Sequence, residues 1–408
     1  MRLLKKIAWI IALLIIVAVI KFILNRISPS SIIFSSNFLT SIQWFLFGGL
    51  ICWLLLQSIS RLIRKKDFPF WLSWFIFLLL MIAGEWRIYF LMQHADRVSK
   101  TTHDYLVRYY LMFERQLPEV RADCARYDPE LTYTYKPGAA CLQKNPEFSD
   151  SIYVNSAGLR DDEASLTKPE IICLGDSYTM GFGVEQQQVY PQLLEHTRGM
   201  KVLNAAISSY GTARETMLFK RLDTSALKYV IIQYCFNDIE ENEAYLRNNY
   251  RLPVRKKAGY EQLVNAHKWA TTYYPLKRVL TISRTFVRDK IYTLFGIPVP
   301  TREESYDTAY VPAAAKAFLD IAAHSTINFS KVKLLVVDIN RYPAFDHHFT
   351  EVAKQILDTA QYSQEFRNSI RFVDISQLNK PVYYYPLDNH MNRAGHEQLA
   401  KLIAGQLK

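Results

Sequence analysis

The strongest constraint on the fold is the regular alternation of short apolar segments with amphipathic segments from residue 170 onward. The apolar segments have the length of strands, and most of them are followed by a stretch with helical periodicity. Such an alternation predicts a parallel sheet that is covered by helices on both faces. The predicted strands are EIICL, KVLNA, YVIIQY, KLLVVDI and IRFVDI. The predicted helices cover residues 186–197, 212–222, 350–361 and 393–406.

A helical insertion at about 240–330 interrupts this alternation. About ninety residues lie between two predicted core strands, where a single crossover helix would suffice. An insertion of this size beside the strand ends is a candidate lid or substrate-binding element. An equally supported interpretation is a pair of helices that only packs on the sheet and has no functional role. The sequence leaves both interpretations open.

Polar residues follow four of the predicted strands. Gly175-Asp176-Ser177 comes after the first strand, the turn with Ser209 and Gly211 after the second, and Asn237 after the third. The loop after the last strand ends in PLDNHMNRAGH, which contains Asp388 and His390. Because the carboxyl ends of parallel strands meet at one edge of the sheet, we expect these residues to converge there.

This set of residue types is what acyl transfer from oxygen requires. A serine hydroxyl such as that of Ser177 needs a neighbouring imidazole to take its proton. We expect His390 to be that base and Asp388 to hold its second ring nitrogen. The oxyanion would need donors, for which the candidates are the backbone N–H of Ser177, a backbone N–H of the turn with Ser209 and Gly211, and the side-chain amide of Asn237.

Four segments resemble, in this order, the four blocks of the SGNH/GDSL hydrolase superfamily: GDSYTMGFGV, NAAISSYGT, CFND and DNHMNRAGH. Together with the apolar N-terminal part, they resemble a membrane-anchored bacterial branch of this superfamily. The upstream segment YVNSAGLRDDE is similar to the N-x-x-G-x-R-D segment of bacterial members. The resemblance covers roughly residues 150–408. It implies an α/β, three-layer flavodoxin-like fold for residues 169–408 and hydrolysis or transfer of acyl esters. It also implies Ser177 as nucleophile, His390 as base and Asp388 as its partner.

Two departures from the family pattern affect the site. Ser209 stands where the second block usually has glycine, with Gly211 two residues later. Either residue retains a backbone N–H, but glycine at this point of a turn is typical of a positive φ, which serine tolerates poorly. The last block reads Asp-x-His, a shorter spacing than Asp-x-x-His. This shorter spacing is similar to that of branches acting on O-acetylated polysaccharides.

Three apolar stretches, at about 7–24, 38–60 and 68–93, predict transmembrane helices in an anchor of residues 1–93. Residues 1–100 carry twelve of the Lys and Arg residues and three of the Asp and Glu residues, so the basic excess lies beside apolar segments. This location excludes nucleic-acid binding as its explanation. The cations before residue 7 and at 61–66 predict that these segments are cytoplasmic. The chain after residue 93 is then expected outside a bacterial cytoplasmic (inner) membrane, on the periplasmic side.

Residues 94–168 are expected to form a linker and an N-terminal extension of the outer domain. Cys124 and Cys141 lie there, and they are either a disulfide of an oxidising compartment or two free thiols. No Cys and His spacing resembles a zinc site, so we expect neither a metal nor a cofactor.

The leading functional hypothesis is a membrane-anchored serine esterase that removes O-acyl, and especially O-acetyl, groups from a glycan or other envelope substrate. One alternative is an O-acyltransferase of an envelope polysaccharide with the same triad, and another is a non-catalytic envelope-assembly component. The expected partners are the lipid bilayer, an acylated glycan or small ester, and envelope-polymer assembly proteins.

Overall fold

The computed structural model describes residues 2–27, 32–299, 310–340, 348–359 and 361–407. The chain divides into two compact units. The helical unit consists of Met1–Arg115 and Asn265–Glu303, and the sheet unit consists of Gln116–Val264 and Glu304–Lys408.

The helices of the helical unit are mostly apolar. Those of its N-terminal part are α1 (Arg2–Ile27), α2 (Ile32–Arg64), α3 (Phe70–Gln93) and α4 (Lys100–Phe113). Among the described residues, two helical stretches are long and apolar enough to cross a membrane, Asn37–Ile63 and Phe70–Gln93. The apolar part of α1, Ile7–Ile23, is shorter than such a span. Of the three expected spans, two therefore meet the length and composition of a transmembrane helix.

The core of the sheet unit is a parallel sheet of five strands. In chain order they are β5 (Ile171–Leu174), β6 (Val202–Asn204), β7 (Tyr229–Tyr234), β8 (Lys333–Asp338) and β9 (Ile370–Phe372). Their order in the sheet is β6-β5-β7-β8-β9. Each predicted strand is present, and the order is that of flavodoxin-like folds, in which the first strand lies between the second and the third. The predicted three-layer α/β fold is therefore confirmed.

Helices cover both faces of this sheet. Successive strand residues point to opposite sides, so the apolar strands present side chains to a helical layer on each face. Ile171 and Cys173 pack with residues of one helical layer, whereas Ile172 and Leu174 pack with those of the other. The first layer contains α6 (Tyr190–Arg198) and α14 (Arg393–Ala404). The second contains α7 (Thr212–Phe219), α8 (Asp238–Arg247), α11 (Val311–His324) and α12 (Phe349–Thr359). The remaining short helices are α5 (Ser177–Met180) and α13 (Gln364–Ser369).

Two small hairpins precede the sheet, in the stretch that was expected to form a linker and an N-terminal extension. They are β1 (Ala125–Asp128) with β2 (Thr132–Tyr135), and β3 (Ala140–Lys144) with β4 (Ser149–Tyr153), each antiparallel. Their strands have four or five residues, too few for a clear alternation pattern. Cys124 and Cys141 form a disulfide with their Cα atoms 5.7 Å apart, which links the start of the first hairpin to the second.

The predicted insertion contains elements of both units. Its last helix, α11, buries one face on the sheet through residues such as Phe318 and Leu319. The segment that leaves the sheet unit begins within α9 (Lys257–Thr271) and includes α10 (Lys277–Leu294). Residues 265–303 belong to the helical unit, where α10 packs against α2, α3 and α4.

Candidate active site

Ser177, His390 and Asp388 form one chain of hydrogen bonds at the carboxyl edge of the sheet. Nε2 of His390 lies 2.6 Å from Oγ of Ser177. Nδ1 of the same ring is hydrogen-bonded to Oδ1 of Asp388. All three side chains are buried. Burial matters because hydrogen bonds between charged or polar groups are electrostatically stronger where water is excluded.

The turn after β5 places Ser177 at the start of α5. Asp176 caps this helix by accepting a hydrogen bond from the Tyr178 N–H at 2.9 Å. Gly175 has a φ of +154°, and a Cβ at this position would lie 2.4 Å from Oγ1 of Thr179. The close approach of the β5 end to the following turn therefore requires glycine.

The loop with Asp388 and His390 closes on itself. The Tyr385 N–H donates to the His390 carbonyl oxygen, and the Asn389 N–H donates to the Tyr385 carbonyl oxygen, both at 2.9 Å. The imidazole of His390 contacts two aromatic rings, with centroid distances of 4.8 Å to Tyr178 and 4.6 Å to Phe182. These contacts hold the imidazole beside the serine.

Glu147 in the turn between β3 and β4 holds the same loop from outside. Its carboxylate accepts hydrogen bonds from the backbone N–H groups of Leu387, at 2.8 Å, and Asp388, at 2.9 Å. The neighbouring Phe148 packs against the rings of Phe182 and Tyr385. The second hairpin is therefore part of the support of the site. No sequence pattern marks Glu147, because its partners are backbone groups of a distant loop.

Arg160 supports the segment that follows Ser177. This fully buried side chain donates to the carbonyl oxygens of Met180, at 3.2 Å, Gly181 and Val184, at 2.6 Å. It also forms an ion pair with Asp150 at 3.5 Å. Burial lowers the pKa of Arg160 and raises that of Asp150 to about 7. The sequence signal for Arg160 is the N-x-x-G-x-R-D segment.

The turn with Ser209 and Gly211 offers one uncommitted backbone donor. The Gly211 N–H donates to Oε1 of Glu241 at 3.1 Å. Among the described residues, the Ser209 N–H has no hydrogen-bond partner. Ser209 is exposed at the third position of a turn closed by the Tyr210 N–H and the Ile207 carbonyl oxygen, with a φ of +61°. This is the left-handed conformation that serine tolerates poorly. Its Oγ donates to Oε1 of Glu119 at 2.7 Å.

Asn237 lies exposed at the carboxyl end of β7 and is tied to the nucleophile turn. Its Nδ2 donates to Oδ2 of Asp176 at 3.0 Å, so the side-chain amide has a fixed position beside the serine turn. Burial raises the pKa of Asp176, although the hydrogen bonds from Tyr178 and Asn237 act in the opposite direction. The next residue, Asp238, accepts from the backbone N–H and the hydroxyl of Thr212 and holds the start of α7.

The structure thus brings Ser177, His390 and Asp388 into hydrogen-bond contact and places Asn237 next to the turn that carries Ser177. Chemically, such an arrangement can activate a hydroxyl. Among the described residues, no group of three His, Cys, Asp or Glu side chains is placed to hold a metal ion.

A model of the GDSL-like lipase/acylhydrolase family matches residues 173–398, which is more than half of the chain. No curated protein matches at a significant level.

Several solved structures are also similar to this chain. One is a lipolytic protein of the G-D-S-L family from Desulfitobacterium hafniense DCB-2, with 11% identity over 59% of this chain and 99% of that one, and a TM-score of 0.29. A second is a carbohydrate esterase family 2 enzyme with a carbohydrate binding domain from Corynascus thermopiles (Myceliophthora fergusii). It has 16% identity over 64% of this chain and 73% of that one, and a TM-score of 0.30. These identities and scores carry no argument about this chain's substrate.

Proposed function

Because the chain belongs to the GDSL-like lipase/acylhydrolase family and is an ester-cleaving hydrolase, we propose that it is a membrane-anchored serine esterase with Ser177, His390 and Asp388 as its triad. The observation that carries this proposal is the 2.6 Å contact between Ser177 Oγ and His390 Nε2, with Asp388 on the other ring nitrogen.

In the proposed reaction, His390 Nε2 takes the hydroxyl proton while Oγ of Ser177 attacks the ester carbonyl carbon. Asp388 holds the imidazole and stabilises its protonated form. The tetrahedral intermediate then expels the alcohol, which receives the proton from His390. Water attacks the acyl-serine with His390 again as base, and the acid and the free Ser177 hydroxyl are regenerated.

The negative charge on the carbonyl oxygen would be stabilised by the backbone N–H groups of Ser177 and Ser209 and by the side-chain amide of Asn237. We prefer Ser209 to Gly211 because the Gly211 N–H already donates to Glu241. Loss of one such donor typically lowers kcat by about 10²–10³-fold.

The proposed substrate is an O-acyl, and especially O-acetyl, ester of a glycan or another envelope polymer, on the outer side of the inner membrane. Two apolar helices support the anchoring. The disulfide between Cys124 and Cys141 supports an oxidising compartment for the sheet unit. A reporter enzyme active only in the periplasm, fused after residue 97, should therefore be active, whereas a fusion after residue 64 should not.

The test of the serine mechanism is Ser177→Ala in the full-length chain, with Ser225→Ala as the matched control because Ser225 lies in an exposed loop. We expect Ser177→Ala to abolish hydrolysis of a p-nitrophenyl ester and labelling by a fluorophosphonate, and the control to retain both. Hydrolysis by folded Ser177→Ala protein would exclude Ser177 as the nucleophile. Absence of labelling in the unaltered protein would favour the non-catalytic alternative. Net gain of acetyl groups on a polysaccharide would instead identify an acyltransferase.

A further inference from the structure

The C-terminal half of α10 has an apolar face that no other part of the described chain covers. Val287, Ile291 and Leu294 follow one another at helical spacing, and Leu294 is 80% exposed. Phe286 and Phe295 extend the exposed surface on either side of this stripe. A helix on the surface of a water-soluble protein normally shows the opposite pattern, with its apolar face turned inward.

The inward side of this C-terminal half of α10 carries a buried charged residue. Asp289 is buried and is paired with Arg108 of α4. It also accepts a hydrogen bond from the guanidinium of Arg288 at 2.8 Å. These ion pairs hold the pKa of Asp289 below its usual range, against the opposing effect of burial. Asp289 is thus paired inside the helical unit, whereas Val287, Ile291 and Leu294 of the same half of α10 face outward.

The first half of α10 packs against the two stretches that can cross a membrane. Nε1 of Trp44 in α2 donates to Oγ of Ser283 at 2.9 Å. A Cβ on Gly84 of α3 would lie 2.9 Å from Cγ2 of Val279, so the two helices are in close contact there. Phe45 of α2 lies beside Phe77 of α3 and Trp53 beside Phe70, which makes the two helices antiparallel. Both contacts of α10 therefore fall toward the same end of the two spans.

We propose that α10 is a second membrane-binding element, whose Val287–Ile291–Leu294 stripe inserts into the leaflet at this end of the spans. This inference rests on the proposed membrane anchoring. The occupant of the apolar face is phospholipid, because α10 packs on both candidate spans at one end, which places its exposed face beside the bilayer. Trp86 and Phe90 at the same end of α3 are also exposed. Lys290 flanks the stripe, and its long side chain can reach a lipid phosphate while its stem remains in the apolar layer. The apolar face of such a helix is buried about 5–10 Å into the boundary between headgroups and acyl chains.

The test is lipid quenching of a fluorophore attached at Leu294→Cys in the full-length chain. Cys52→Ser serves as the background, because Cys173 and Cys235 are buried. The protein is reconstituted into phosphatidylcholine–phosphatidylglycerol vesicles with or without brominated acyl chains. Leu79→Cys, at an exposed position of α3, reports on the spans, and Val382→Cys, at a 64% exposed position of the sheet unit, is the control for a position outside the helical unit.

We expect brominated lipid to remove most of the emission at positions 294 and 79 and to leave position 382 unchanged. Quenching at 79 without quenching at 294 would overturn the role of α10 and leave the membrane anchor intact. A blue-shifted label at 294 that brominated lipid does not quench would show that protein, such as a second copy, covers the face, and this too would overturn the proposal. Absence of quenching at 79 would overturn the anchoring and the inference together.

Discussion

At the scale of single residues, the geometry of the proposed base depends on a carboxylate far away in the chain. Glu147 accepts hydrogen bonds from the backbone N–H groups of Leu387 and Asp388. Asp388 is two residues before His390, whose imidazole is hydrogen-bonded to Ser177. Removing Glu147 leaves two donors of the loop without their partner. The catalytic groups themselves are not altered, so the effect should be one of position.

We therefore predict that Glu147→Ala lowers kcat for a p-nitrophenyl ester by roughly 10²-fold, the cost of a displacement of about 1 Å at a catalytic group. Glu147→Gln retains an acceptor oxygen and should lose less. Glu130→Ala, an exposed carboxylate of the same extension, is the control. Steady-state kinetics and thermal unfolding of the four proteins provide the check. Unchanged kcat in folded Glu147→Ala protein would refute the positioning role.

Ser209 combines backbone strain with a stabilising hydrogen bond, and two substitutions separate the two effects. Ser209→Ala removes the bond to Glu119 and keeps the side-chain penalty at a φ of +61°. Ser209→Gly removes both. Because a left-handed conformation costs about 1–2 kcal/mol for a residue with a Cβ, the glycine variant should be the more stable by roughly that amount. Both retain the backbone N–H and should keep most of the activity. Equal free energies of unfolding for the two variants would contradict this account.

At the scale of secondary-structure elements, a buried histidine connects α14 to α6. His396 is almost completely buried, and its Nδ1 accepts a hydrogen bond from the Tyr190 N–H at 3.3 Å. Burial lowers the pKa of His396 to about 3, and the positive charge of Arg160 acts in the same direction. The imidazole is therefore neutral in the folded protein, whereas in the unfolded chain it titrates near its ordinary value of about 6.5.

The sign of the pH effect follows from this difference. Because the unfolded chain binds a proton more readily, the contribution of His396 to stability is complete above about pH 6.5 and is lost as the pH falls toward 3. His396→Asn retains an acceptor oxygen but does not titrate in this range. We predict a weaker loss of stability between pH 6.5 and 3 in this variant. Thermal unfolding of both proteins in detergent across this range is the measurement, and identical slopes would rule out the assignment.

The sequence predicted secondary-structure elements well where burial alone determined their pattern of apolar residues. The strand Tyr229–Tyr234 was predicted residue for residue, because it is apolar along almost its whole length and buried on both faces. The predicted strand IRFVDI ends earlier, at Phe372, because the chain turns away toward the loop of Asp388 and His390. The residue types at the strand ends also pointed to Ser177, Asn237, Asp388 and His390. The structure brings these residues together, and their catalytic roles stay predictions.

Other features had no sequence pattern to predict them. Glu147 accepts hydrogen bonds from backbone groups, and any residue type other than proline could supply these N–H donors. The choice between Ser209 and Gly211 as oxyanion donor depended on whether the Gly211 N–H is already hydrogen-bonded to Glu241. Only the three-dimensional structure reveals this contact. Helical periodicity was visible around α10, but periodicity does not tell which unit a helix joins. Residues 265–303 group with the helical unit, and a role of the insertion as a lid or substrate-binding element stays a prediction.

At the scale of the whole molecule, the N-terminal helices cannot be removed as an independent module. Residues 265–303 belong to the helical unit together with residues 1–115. A fragment of residues 94–408 would retain α10 but lose its contacts with Trp44 and Gly84. The surface thereby exposed is apolar and would add to the face of Val287, Ile291 and Leu294.

We predict that fragment 94–408 aggregates or needs detergent, and that replacing residues 272–303 of it by a short polar linker makes it soluble without loss of esterase activity. Gel filtration without detergent and p-nitrophenyl ester hydrolysis are the measurements. Fragment 94–408 running as a detergent-free monomer would argue that the helical unit is not held together as described. Loss of activity only in the linker variant would assign a catalytic contribution to the replaced segment.

The helical unit is built from two separate parts of the chain, and this determines when during synthesis the unit can be completed. Its two parts are separated in the chain by residues 116–264, which include the first three strands of the large sheet. The ribosome therefore completes α1 to α4 long before it completes α10. Nascent chains therefore carry α1 to α4 without α10 while residues 116–264 are synthesised. Contacts between residues so far apart in the sequence form slowly. Final assembly of the anchor is accordingly a late event, and chains that stall before residue 294 would carry an unfinished one.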